Sequence, residues 1–244
     1  MGKKEIQIRQ DAGRPIFPFT LKKGPHRPTV LLEVRKMFNA GYVGRNQEEV
    51  RRHIDELAKK GIPGPSSTPT LYPIVLRALT QSSQIEVYGE ETSGEAEFIL
   101  LVENPDRVYV AVGSDHTARD LEVFDIAMSK TICPNVISAE VWLLEDALPG
   151  WDEIELRSWV TQDGKRTLYQ EATLRSILPP ADLLELVRAK GKEPLDHVVI
   201  YSGTIPLLRG EFVFGERFEV ELYHPRLEDR LSLGYDVVPL REIS

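Results

Sequence analysis

From about residue 85 onward, apolar and polar positions alternate with a period of two, the spacing of half-buried strands. The segments IEVYG, EAEFILLV, RVYVAV, SAEVWLL, EIELRSWV and RTLYQEA are short, rich in β-branched and aromatic residues, and separated by turn residues. HVVIYSGT, EFVFG, RFEVELYH and residues 229–238 continue the pattern. A helical period stands out twice. Residues 46–60 carry Val50, Ile54 and Leu57 as an apolar stripe, with Asn46 placed to cap the start, Glu49 three residues on and Gly61 past the end. PPADLLELVRAKG, at 179–191, opens on proline and closes on glycine. Residues 4–9 read as an initial strand, and 11–28, with four prolines, as an irregular segment. IPGPSSTPTLYP, at 62–73, reads as a linker. The expectation is a mixed α/β fold, predominantly β, with a small N-terminal region at 1–70 and a β-rich domain at 71–244.

Composition narrows the function classes. The 244 residues are 41% hydrophobic and 28% charged, enough for a core that buries about 70–75% of the unfolded surface without staples. No run approaches the length of a membrane span, and MGKKEIQIRQ lacks the apolar region of a secretory signal. Cys133 is the single cysteine, which excludes an internal disulfide and a cysteine-based zinc site and suits the cytoplasm. The net charge of −8 is uneven: residues 1–70 hold fourteen Lys/Arg against seven Asp/Glu, and the remainder is acidic. No basic run exceeds two residues and no aromatic stacking pattern accompanies them, so the basic segment is expected to pack on the acidic remainder or to collect small anionic substrates rather than to bind nucleic acid, and no membrane partner is expected.

Several positions can carry chemistry. On a strand, Glu95 and Glu97 share a face with Ile99 and Leu101. Two carboxylates at the head of such an apolar run either bind a hard divalent cation through oxygen or sit solvated at a strand end. Gly113-Ser114-Asp115-His116-Thr117-Ala118-Arg119-Asp120 crowds polar groups into the loop after a buried-looking strand. There Asp115 offers a third carboxylate and His116 another ligand or base, or the loop is simply a capped turn. Lys130 lies between apolar stretches. Ser202-Gly203-Thr204 ends a strong strand in groups able to hold a carboxylate. His53 and Glu56 are neighbours on the first helix, either a general-base pair or a surface pair.

Taken in order, these segments resemble the fumarylacetoacetate hydrolase superfamily, and most closely a bacterial branch of unassigned activity. The resemblance rests on Gly44-Arg45-Asn46, His53-Ile54-Asp55-Glu56, Pro63 and Pro65, Glu95-Ala96-Glu97, Asp115 with Ala118-Arg119-Asp120, Lys130, and Ser202-Gly203-Thr204, across residues 40–240. It implies a largely β roll, usually a homodimer, with one Mg²⁺ (or Mn²⁺) held by Glu95, Glu97 and Asp115. It further implies Lys130 facing a substrate oxyanion, Arg119, Gly203 and Thr204 binding substrate, and His53 with Glu56 activating water. The implied substrate is a small anionic 2-oxo acid, with hydrolysis of a C–C bond in an acylpyruvate-like compound as the leading reaction. Decarboxylation, dehydration, isomerisation and non-catalytic binding are the alternatives. The sequence departs from the superfamily pattern in Glu122, where a glutamine is common, and in Ile-Pro-Leu-Leu-Arg-Gly after Thr204 in place of a short glycine-rich turn.

Overall fold

The period-two segments assemble into two packed sheets and one short ribbon. The computed structural model describes residues 14–59, 64–65, 67–191 and 194–241, apart from the side chains of residues 53 and 56–59. The expected strand at 4–9 lies outside the described residues. The larger sheet has ten strands and curls on itself. Its centre is the antiparallel hairpin of Ala96–Asn104 and Arg107–Asp115. Val198–Tyr201 pairs with the first of these, and Asn135–Ile137 and Glu140–Leu143 with the second. The smaller sheet orders Lys165–Thr173, Glu155–Gln162, Arg217–His224, Asp229–Leu240 and Gln84–Tyr88.

The unbroken apolar run Phe98–Val102 follows from burial on both faces. Phe98, Leu100 and Val102 share a core with Leu156, Val220, Leu222 and Tyr235 of the smaller sheet. Ile99 and Leu101 point the other way, into the curl, against Phe19, Met37, Val199 and Tyr201. Each such fully buried side chain contributes about 1.5–3 kcal/mol. Gln47–Lys59 is helical, and Asn46 Oδ1 accepts from the N–H of Glu48 (3.2 Å) and Glu49 (3.3 Å), as its position predicts. Pro180–Gly191 is the other long helix and buries Leu183 and Val187.

Three segments differ from the sequence reading. The proline-rich stretch contains a strand, Ile16–Leu21, antiparallel to Thr29–Glu33. Its second neighbour, Glu140–Leu143, pairs only with Thr20 and Leu21, so Pro18 loses no hydrogen bond by lacking an N–H. Within the expected linker, Thr70–Ile74 is an edge strand paired with Lys36–Gly41, so one sheet joins chain from both sides of residue 70. Residues 211–215, read as a strand, form a loop instead. Phe212 there lies over the Arg119 guanidinium, 4.2 Å from ring centroid to Cζ.

Candidate functional site

The central hairpin builds the site. Glu95 and Asp115 face each other across it and exchange both backbone hydrogen bonds at 3.1 Å, while Glu97 lies opposite Gly113. Strand alternation then puts Glu95, Glu97 and Asp115 on one face, at the distances expected of direct and diagonal neighbours. One oxygen from each lies within 4.8 Å of the others. Gly113 is required here: a Cβ would stand 2.1 Å from Ile99 Cδ1 and 2.6 Å from the Val136 carbonyl oxygen. Glu97 and Asp115 are almost fully buried, at 1% and 0% exposure, so the strand-end alternative of two solvated glutamates does not describe this site.

Two cations answer these carboxylates. The helix Ile126–Ile132, capped by Asp125, carries Lys130. Its Nζ donates to Glu95 Oε2 at 2.8 Å and to Asp115 Oδ2 at 2.6 Å. Arg119 donates from Nη1 to Glu95 Oε1 and to Glu122 Oε2, both at 2.9 Å, and from Nε to Ser93 Oγ at 2.8 Å. Burial pushes the Glu95 carboxyl up, but Lys130 and Arg119 outweigh it and hold the group down at about 2. Burial raises Asp115 to about 6, with Lys130 opposing and Glu95 reinforcing. Glu97 is driven well above the carboxylate range by burial and by Asp115. Burial alone would lower Lys130, but Asp115 and Glu95 keep it charged. Among the described residues, Asp115 Oδ1 is buried without a hydrogen-bond partner. An all-oxygen donor set with an orphaned carboxylate oxygen suits a hard cation such as Mg²⁺ or Mn²⁺.

The turn after Val198–Tyr201 is tied to the same hairpin. The Gly203 N–H donates to Glu97 Oε2 at 2.7 Å, and Thr204 Oγ1 donates to the Ala96 carbonyl at 2.9 Å. Gly203 sits at φ +82°, where a Cβ would stand 2.5 Å from Val43 Cγ2. Gln170, which sequence reasoning missed, is wholly buried and uses both ends of its amide. It accepts from the Ala96 N–H and Ser158 Oγ and donates to Thr204 Oγ1 and the Ile205 carbonyl. Its signal was a single polar residue inside a strand, which does not say which face is buried. His116 turns away from the carboxylates. Its ring nitrogens lie 2.9 Å from the Tyr235 and Thr92 hydroxyls, and burial, with Arg119 adding, lowers it to about 3.

Beside this cluster lies a cavity of about 1110 Å³. Glu95, Arg119, Lys130, Gly203 and Thr204 reach its surface, while Glu97 and Asp115 do not line it. Tyr42, Tyr72 and Phe212 also line it and were not expected from the sequence. Tyr42 takes φ +58°, a strained backbone for a bulky residue and of the kind that clusters at functional sites. The helix Gln47–Lys59 lines the cavity through Val50, and Glu49 and Asn46 at its start also face it. His53 follows Val50 by one turn, but the side chains of His53 and Glu56 lie outside the described residues.

The sequence matches a family model, a protein family of unknown function called DUF2848, over residues 40–235. The chain belongs to this family. No curated protein matches it. Among solved structures it is similar to 2-keto-3-deoxy-D-arabinonate dehydratase complexed with magnesium and 2,5-dioxopentanoate, at 14% identity and a TM-score of 0.61, covering 88% of this chain and 77% of that one. It is similar to a protein from Burkholderia cenocepacia assigned as a fumarylpyruvate hydrolase, at 14% identity and a TM-score of 0.61, covering 99% and 98%. It is also similar to a protein from Yersinia pestis CO92 assigned to the fumarylacetoacetate hydrolase family, at 15% identity and a TM-score of 0.59, covering 85% and 94%. The DUF2848 chain therefore has the fumarylacetoacetate-hydrolase-like fold. No helix among the described residues is long and apolar enough to cross a membrane.

Proposed function

We propose that this protein is a Mg²⁺- or Mn²⁺-dependent enzyme that acts on a small anionic 2-oxo acid, and that it hydrolyses a C–C bond in an acylpyruvate-like substrate. The observation that carries this reading is the convergence of Glu95, Glu97 and Asp115 beneath a cavity that Lys130 and Arg119 also reach. Those three carboxylates would hold the cation, which when bound supplies a Lewis acid for the carboxylate and 2-oxo oxygens of the substrate. Lys130 and Arg119 place fixed positive charge beside the oxygen where negative charge develops, in a site largely shielded from water. Thr204 lines the cavity next to Gly203 and would meet the carboxylate end of the substrate by turning its hydroxyl from the Ala96 carbonyl. His53, paired with Glu56 in the proposed dyad, takes a proton from water and the oxygen adds to the acyl carbon. The C–C bond then breaks with its electron pair passing to the 2-oxo acid as an enolate, which takes up a proton at carbon and leaves a carboxylic acid and the shorter 2-oxo acid.

The dehydratase among the structural neighbours supports a second reading, in which the same stabilised charge leads to dehydration, decarboxylation or isomerisation without attack by water. The protein is further proposed to be a cytoplasmic homodimer. Phe124, Met128 and Ile132, exposed by 83%, 61% and 55% beside and along the Lys130 helix, support a covering partner copy, and the lone buried Cys133 suits a reducing compartment.

The first test is thermal unfolding of chelator-stripped protein with Mg²⁺ or Mn²⁺, with and without oxalate, an enolpyruvate mimic. A ligand confined to the native state at a hundred times its Kd adds about 2.7 kcal/mol. Metal should stabilise the protein, and oxalate should add to that only when metal is present. No response to either overturns the proposal. Turnover in ¹⁸O-water then separates the reactions, since C–C hydrolysis leaves solvent oxygen in the new carboxylate.

A further inference from the structure

The cavity's charges say what kind of 2-oxo acid fits. Its inner cations are already matched: Lys130 by Glu95 and Asp115, Arg119 by Glu95 and Glu122. Arg45, farther along the lining, is held by both oxygens of Asp152, at 2.9 and 2.8 Å. Arg175 also lines the cavity but is exposed, so its charge is spent largely on water. Glu49 and Glu122 also present carboxylates to the cavity. Among the described residues, then, a second carboxylate on the substrate would find Lys130, Arg119 and Arg45 already paired with protein acids, with Glu49 and the Arg119-paired Glu122 beside its path. Apart from Asn46, Gln170, Ser176 and Thr204, the rest of the wall is largely apolar. Phe212, half exposed over Arg119, joins Tyr42, Tyr72, Ile126, Ile177 and Leu207 around a space far larger than a pyruvate unit needs. Phe212 and Leu207 belong to the segment after Thr204 that replaces a short glycine-rich turn, so this wall is a feature of the chain itself.

Resting on the proposed 2-oxo acid chemistry, we infer that the substrate carries a neutral aromatic or extended apolar group beyond its 2-oxo acid head, and that Phe212 and Glu122 select for it. An aryl ring gains by leaving water and stacking against Phe212 and the tyrosines. A distal carboxylate pays desolvation and meets Glu122.

The test is calorimetric titration of the Mg²⁺-loaded protein with oxalate, pyruvate, oxaloacetate and 2-oxo-4-phenylbutanoate. The phenyl compound should bind at least tenfold more tightly than pyruvate, and oxaloacetate no more tightly than pyruvate. Phe212→Ala should cut the phenyl-to-pyruvate ratio to about threefold or less, and Glu122→Gln should raise the oxaloacetate-to-pyruvate ratio. If oxalate binds but oxaloacetate matches or exceeds the phenyl compound, the inference is overturned and the 2-oxo acid reading stands. An unchanged ratio in Phe212→Ala removes the wall from the explanation and overturns it equally. If oxalate also fails to bind, the 2-oxo acid reading falls and this inference falls with it.

Discussion

Lys130→Met tests how the three carboxylates are tolerated in the metal-free protein. Methionine keeps most of the side chain's length and apolar bulk while removing the ammonium. Glu95 Oε2 and Asp115 Oδ2 then each lose a short charge-assisted hydrogen bond, at positions whose side chains are 13% and 0% exposed. Removing one partner of a buried ion pair costs about 3–5 kcal/mol. Two features hold the value near the lower end. Arg119 still neutralises Glu95, and Asp115, already raised to about 6, takes up a proton near neutral pH once Lys130 is gone. A loss of about 3 kcal/mol in a chain of this size lowers Tm by roughly 6–12 °C. The assay is scanning calorimetry in EDTA and again in excess Mg²⁺. The metal should stabilise Lys130→Met more than the parent, because no ammonium competes for Glu95 and Asp115. A variant as stable as the parent in EDTA would refute the account of the ammonium as the cluster's counter-ion. A smaller metal shift in the variant would refute the competition.

The remaining predictions address other parts of the same hairpin and its neighbours. Glu97→Gln should leave the Tm in EDTA within a few degrees, since burial and Asp115 already favour the neutral acid, and should abolish the Mg²⁺ shift; a retained shift would remove Glu97 from the ligand set. Gly113→Ala drives a Cβ into Ile99 and the Val136 carbonyl, and chemical denaturation should report a loss of about 1–3 kcal/mol or more. His116, held at about 3 against an ordinary 6.5, contributes stability that is complete above about pH 6.5 and is lost as pH falls toward 3. At 1.36 kcal/mol per unit, the stability difference between the parent and His116→Gln should shrink by about 2 kcal/mol between pH 7.5 and 5, as read by urea titration; a pH-independent difference would contradict the buried neutral imidazole. His53→Ala should keep the Mg²⁺ shift and lower turnover by about 10²–10⁴, whereas unchanged turnover would show that the base is elsewhere.

The parts of the molecule legible in the sequence are those whose signal is local. The double-sided burial of Phe98–Val102 shows as an unbroken apolar run, and the Asn46 cap as a polar residue at the right offset. Glu95 and Glu97 were legible because strand parity puts them on one face, whereas Asp115, read as part of a loop, was joined to them by the family resemblance; its pairing opposite Glu95 is a contact between separate strands that the sequence does not display. Ile16–Leu21 was hidden because whether Pro18 loses a hydrogen bond depends on how far Glu140–Leu143 reaches, which is a pairing between distant segments. Residues 211–215 misled for the converse reason. Their composition suits a strand, yet Phe212 is spent on Arg119, and no periodicity records a cation–π contact with a residue far away in sequence. Gln170 and Tyr42 escaped because a buried amide and a positive φ acquire meaning only from the groups around them.

The arrangement also explains why the carboxylates can be buried before any cation arrives. Glu95 is answered by two cations, Asp115 by one, and Glu97 by a backbone N–H, with burial and Asp115 pushing its carboxyl toward the neutral form. The demand for compensation thus falls from the cavity surface inward, and the inner acids are those burial has made least ionised. Glu95, Glu97 and Asp115 would hold a divalent cation as carboxylates, so protonation of the cluster would oppose cation binding. In the metal-free fold Lys130 is committed to Glu95 and Asp115, and these ion pairs are what let the two acids sit buried without a cation.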